Sequence, residues 1–252
     1  MLRAQVRTAT INRVPASRRP LTIMAQAQKA PIYDLVLKAK AGEPFKLGDC
    51  PFCHRVLLTA AVKKFPVQAT LVDFRNKPEW LLQPPPVGSG GKVPVLREPV
   101  SGLVMPDSDV IVEHLEKLYP EPSMRSDTPA DLGSKLFPAF RGFLFAAAGS
   151  EEEAAKRGEL EGELRALDAH LAQPGKGPLL GGAHISQSDA AIAPKLYHAK
   201  TALAHFKHYS FPSDLKALQK YMDAIAATPE WKATDYGTDA IIAGWTAHLA
   251  HH

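Results

Sequence analysis

The chain has 252 residues, 45% hydrophobic and 22% charged, enough for one large core or two small ones. No apolar run approaches the roughly 20 residues of a membrane helix, which argues against a membrane-spanning role. The formal net charge of +4 comes from the start: residues 1–33 hold 6 of the 30 basic residues and no acid, so the body has 24 bases against 26 acids and suits no nucleic-acid partner.

Residues 1–32 combine Arg3, Arg7, Arg13, Arg18 and Arg19 with Ser, Thr and Ala and lack an apolar h-region. That is the composition of an organelle transit peptide, with chloroplast as the expected destination and mitochondrion or cytosol as alternatives. "YDLVL" (33–37) reads as a strand, followed by a loop through Gly42, Pro44, Gly48 and Asp49. "PFCHRVLLTAAVKKF" (51–65) reads as a helix with Pro51 in its first turn. "VQATLVDF" (67–74) is a strand, "KPEWLLQ" (77–83) one or two helical turns, and "KVPVLRE" (92–98) and "GLVMP" (102–106) two short strands. A helix over 107–120 completes a β-α-β-α-β-β-α order, which predicts an α/β domain with a mixed sheet over 33–120. From 121 to 252 only helices are expected: 131–148, 151–173, 185–203, 213–227 and 237–250. Leu160, Leu164, Leu167 and Leu171 share one face of the second, and Ser186 and Asp189 are spaced as a capping box for the third.

The chemistry centres on "DCPFCH" (49–54), which holds the only two cysteines, Cys50 and Cys53. C-x-x-C followed by His fits a thiol redox site, half a zinc site or a haem attachment. Zinc lacks a second ligand pair, so no metal is expected. Haem attachment needs an oxidising compartment that this leader does not specify. The redox reading has a mechanism, because Cys50 sits where a helix begins and unpaired N–H groups stabilise a thiolate. Two merely buried structural cysteines are the bland alternative. His54 reads as an early helical residue. Val93-Pro94 is placed where a thioredoxin-like fold puts a cis-proline, exposing the Val93 backbone to an extended peptide. Asp107 and Ser108 open the next helix and suit the charged ends of a γ-glutamyl group, although helix capping explains them too.

Together, "LGDCPFCHRVLLT", "GKVPVL", "DSDVI", "LAQPGKGPLLGG", "APKLYH" and "IIAGW" resemble the plant-type dehydroascorbate reductases of the glutathione transferase superfamily. The resemblance spans nearly everything after residue 32. It implies a thioredoxin-like α/β domain followed by an all-α domain. It implies glutathione-dependent reduction of dehydroascorbate by a monomer, with glutathione as co-substrate and no metal or prosthetic group. Carried over by position, Cys50 is the nucleophile. Lys38, Asp49, His198 and Trp245 contact dehydroascorbate or glutathione, and Lys77, Val93, Asp107 and Ser108 contact glutathione. Cys53 stands where land-plant members usually have Ser, so it is either a resolving or regulatory thiol or a bystander. The alternatives are a thiol transferase of the omega or lambda type, a chloride-intracellular-channel-like protein that associates with membranes, and a redox sensor.

Overall fold

A computed structural model describes residues 32–98 and 100–250. The leader, apart from residue 32, lies outside them. The central strand β1 (Tyr33–Lys40) has its middle residues Leu35, Val36 and Leu37 fully buried, as a strand covered on both faces must. It runs parallel to β3 (Val67–Val72), with register from Tyr33↔Val67 to Lys38↔Val72. On its other side it runs antiparallel to β4 (Val95–Arg97), which pairs antiparallel with β5 (Val104–Pro106). The mixed sheet therefore has the order β3-β1-β4-β5.

One further strand, β2 (Glu43–Leu47), occupies part of the segment expected to be a loop and pairs antiparallel with the end of β1. No alternation of polar and apolar side chains announces it, because it is largely solvent-facing. Its ends are set by backbone geometry. Gly42 turns at φ +80°, and the Gly48 N–H donates to the Lys38 carbonyl at 2.8 Å. Gly48 lies so close to β1 that a Cβ there would stand 2.3 Å from the Ala39 carbonyl oxygen.

Helices α1 (Pro51–Lys63), α2 (Glu79–Leu82) and α3 (Ser108–Leu118) complete the first layer. Beyond Pro106 no further strand forms among the described residues, apart from an isolated bridge between Leu179 and Gly182. The helices that follow are α4 (Leu136–Phe145), α5 (Glu151–Leu171), α6 (Gln187–Lys207), α7 (Lys216–Ala227), α8 (Pro229–Thr234) and α9 (Thr238–Leu249). Helix α4 is shorter than expected and α6 ends four residues later, before a left-handed cap at His208. The capping box of Ser186 and Asp189 is present. Helix α8 was not expected, although its signals stand in the sequence: Pro229 occupies its first turn and Thr228 caps Trp231 N–H.

Two cores meet at α1. Cys53, Val56, Leu57 and Ala60 pack under the sheet with Leu35 and Leu37. Leu58, on the opposite face, joins the helical core of Phe140, Leu164, Leu196 and Trp245. A buried ion pair fastens the crossing between the layers. Lys63 Nζ lies 2.5 Å from Glu116 and donates to the Pro122 carbonyl at 2.7 Å, while Glu116 accepts the Met124 N–H.

Candidate active site

Cys50 is the N-cap of α1, and its Sγ accepts the Cys53 backbone N–H at 3.5 Å. Extended backbone at Cys50 (φ −124°) and Pro51 in the first turn place the sulfur beside the open N–H groups of that turn. The Cys50 thiol is held below its ordinary value, chiefly by a hydrogen bond from the Cys53 thiol; backbone N–H groups and Lys38 add to this, and burial opposes it. Cys53 is driven the other way, first by burial and then by its proximity to Cys50. Exposure sorts the two in the same sense: Cys50 keeps 9% of its surface and Cys53 only 1%. One thiol is poised to ionise and reach solvent; the other is its buried donor.

Cys50 opens into a cavity of about 420 Å³ between the two layers. Lys38, Asp49, Lys77, Val93, His198 and Trp245 all line it, so the fold brings together six further predicted site residues from β1, α6, α9 and the loops between. The Val93–Pro94 peptide is cis. Lys38 Nζ lies 2.7 Å from Asp49, so its charge serves both the carboxylate and the neighbouring sulfur. Burial raises the Asp49 pKa, and Lys38 pulls it back. The Asp49 carboxyl also butts against α9 at Gly244, where a Cβ would lie 1.9 Å from it. Gly90 and Gly91 of the 83–91 loop form one edge of the cavity, and Lys77 lies 4.1 Å over the Phe74 ring.

Asp107, Ser108 and Cys53 are not in the cavity wall. Asp107 takes a left-handed backbone (φ +78°) and caps α3 by accepting the Asp109 N–H at 2.7 Å, while Ser108 is buried.

His198 and Trp245 are bonded to one another. Trp245 Nε1–H donates to His198 Nδ1 at 3.0 Å, and His198 Nε2 bonds the Tyr236 hydroxyl at 2.9 Å. Both ring nitrogens of His198 are therefore engaged within the protein. Burial pushes its pKa down to about 3, so it is neutral at ordinary pH.

Sequence reasoning missed several members. Lys92, Phe52, Phe137 and Arg141 also line the cavity. Phe52 meets Phe137 edge-on at 5.5 Å, joining α1 to α4 across the opening. Arg141 left a signal, as a lone cation in the apolar run "LFPAFRGFLF". His54 was misread. It is fully buried, bonds Thr234 Oγ1 at 3.1 Å, and packs on the rings of Trp231 at 4.4 Å and Tyr236 at 5.0 Å. It is the point where α1 is bolted to α8, which no local pattern could announce.

The family model described as "Glutathione S-transferase, N-terminal domain" matches residues 49–118, and its C-terminal counterpart matches 150–224. The chain is 40% identical over 216 residues to "Probable glutathione S-transferase DHAR1, cytosolic" of Oryza sativa subsp. japonica, covering 84% of this chain and 96% of that protein. It is 38% identical over 226 residues to "Glutathione S-transferase DHAR3, chloroplastic" of Arabidopsis thaliana, covering 88% and 83%. The crystal structure of Chlamydomonas reinhardtii dehydroascorbate reductase matches with a TM-score of 0.80 at 50% identity, over 86% of this chain and 98% of that one. With these relatives, a thioredoxin-like sheet joined to a helical layer, and a cysteine at the mouth of α1, the chain belongs to the dehydroascorbate reductase family of the glutathione S-transferases.

Proposed function

We propose that this protein reduces dehydroascorbate to ascorbate with two molecules of glutathione, and that Cys50 is the nucleophile. The carrying observation is the Cys50 sulfur at the α1 N-terminus, with a lowered pKa, opening into a cavity built from both layers. The likeness to named reductases supports the substrate.

The cycle balances without a metal. Dehydroascorbate, water and the Cys50 thiolate give the ascorbate monoanion and a Cys50 sulfenic acid. The sulfenic acid condenses with one glutathione thiol to a mixed disulfide and water. A second glutathione thiolate attacks the glutathione sulfur, releasing glutathione disulfide and the Cys50 thiolate. Cys53 is not consumed in this cycle.

Lys38, Lys77, Lys92 and Arg141 surround the cavity with cationic groups suited to the carboxylates of glutathione and the electron-rich oxygens of dehydroascorbate. Val93 would offer its backbone to the peptide. Asp107 and Ser108 would receive the γ-glutamyl end beyond the cavity wall, and Asp49 would accept from a substrate hydroxyl. The working unit is a monomer with an α/β domain over 33–120 and a helical domain over 121–252. Relatives of both cytosolic and chloroplastic name exist, and residues 1–32 would direct this one to the chloroplast.

Replacing Cys50 with Ser should abolish glutathione-dependent ascorbate formation, followed spectrophotometrically. Substantial surviving activity refutes the assignment. Equal or faster turnover of a glutathionylated disulfide than of dehydroascorbate would make the protein a general thiol transferase instead.

A further inference from the structure

The stretch "DFRNK" (73–77) turns the chain after β3 and sorts its charges in two directions. The Asp73 carbonyl accepts the Asn76 N–H at 3.0 Å, and the Asp73 carboxylate accepts the Arg75 N–H at 3.0 Å. The Arg75 guanidinium closes on the same carboxylate, with Nε at 3.1 Å and Nη2 at 2.7 Å. The acid of the turn is thus taken by Arg75 and not by Lys77. Phe74, between them, lines the thiol cavity with 39% of its surface exposed. Cations occupy its ring: Lys77 Nζ lies 4.1 Å from the centroid and Lys38 Nζ 5.6 Å. Lys77 Nζ is also confined by the chain at Gly91, where a Cβ would stand 3.4 Å from it.

The kind of partner decides what an ammonium can still do. A carboxylate cancels its charge, whereas an aromatic face holds it through the ring quadrupole and adds no net charge. Lys38 is the first case, 2.7 Å from Asp49, the one acid among the cavity-lining residues. Lys77 is the second: no carboxylate among the described residues pairs with it. Its charge is held in place and remains available to an anion entering the cavity.

We propose that Phe74 is a positioning residue for glutathione, its ring holding the uncancelled Lys77 ammonium at the cavity wall to receive a carboxylate of the tripeptide. The inference rests on glutathione being the co-substrate. It deepens that reading by assigning part of the affinity to a side chain that touches no reacting atom. A lysine has a long, flexible stem, and ordering it costs free energy when a ligand arrives. The ring and the Gly91 backbone impose that order beforehand. Nothing local announced this: Phe74 stands at the end of a strand pattern and reads as one more apolar residue.

The test is titration calorimetry of S-methylglutathione, whose thiol is blocked, into the full chain. No dehydroascorbate and no redox step takes part, so Cys50→Ser turnover remains a separate test of the nucleophile. Phe74→Leu keeps an apolar side chain and removes the ring face, and its Kd should rise about twofold to fivefold. Phe74→Tyr keeps the ring and should stay near the parental Kd. In a Lys77→Met background, Phe74→Leu should add no further loss, because the ring acts through the ammonium. A parental Kd in Phe74→Leu, at the parental melting temperature, overturns the proposal. So does an undiminished loss in the Lys77→Met background, which would mean that the ring meets the ligand directly. Failure of the parental chain to bind S-methylglutathione would overturn the glutathione reading itself, and this inference with it.

Discussion

At the scale of single residues, Cys50 and Cys53 are chemically different although the motif presents them as a pair. Cys50 is stabilised as a thiolate principally by a donor, and that donor is the Cys53 thiol. Cys53→Ala removes the donor and Cys53→Ser keeps one. We expect Cys53→Ala to raise the Cys50 pKa and to slow turnover at neutral pH by about tenfold, with recovery at higher pH, while Cys53→Ser stays near the parental profile. Steady-state rates of both variants across pH check this. Equal profiles for Ala and Ser would show that the backbone N–H groups and Lys38 suffice. Which cysteine stands at the mouth of the helix was legible in the sequence, because Pro51 and the apolar run behind it fix the helix start. That its partner acts as a hydrogen-bond donor was not, since side-chain direction follows from packing.

At the scale of elements, α1 and α9 form the site by close approach. Helix α9 reaches Asp49 because Gly244 has no side chain. The conspicuous Trp245 of "AGW" therefore depends on its neighbour as much as on its own ring. Gly244→Ala places a methyl inside the space of a buried carboxylate that is also held by Lys38. We expect a loss of about 1–3 kcal/mol or more in stability, read from denaturant midpoints, together with a fall in activity as Asp49 and Lys38 are displaced. Helix α1 shows why a helical pattern can understate its role. Pro51, Cys53, His54, Val56, Leu57, Leu58, Thr59 and Ala60 are all buried, because the sheet covers one side and α6 and α8 the other. A helix buried all round has no single apolar stripe to read.

At the scale of the whole molecule, two buried neutral histidines act as ties: His54 joins α1 to α8 across the layers, and His198 joins α6 to α9 within the helical one. Burial drives both His54 and His198 down to about 3. The unfolded chain would bind protons on these rings from about pH 6.5 downward, while the folded chain would not until far lower. Stability is therefore fully present above about pH 6.5 and declines toward pH 3, by roughly 1 kcal/mol per pH unit for each ring. Asp49, with its raised pKa, works in the opposite sense. Urea midpoints should be lower at about pH 5 than at about pH 7, and His54→Gln should flatten that difference. A parental midpoint unchanged between those conditions would contradict it.

The sequence by itself determined the division into a strand-bearing first part and a helical second part, the helix start at Pro51 and the place of Cys50 just ahead of it. Each of these is local, written in periodicity, proline placement and capping residues within a few positions. The tertiary structure alone decided what surrounds that cysteine. Strand β2 exists because Gly42 and Gly48 permit a close return, Arg141 enters the cavity because α4 packs across from α1, and His54 meets α8 across 180 residues of chain. Such contacts are long-range pairings between surfaces, and no stretch of sequence encodes its partner within itself.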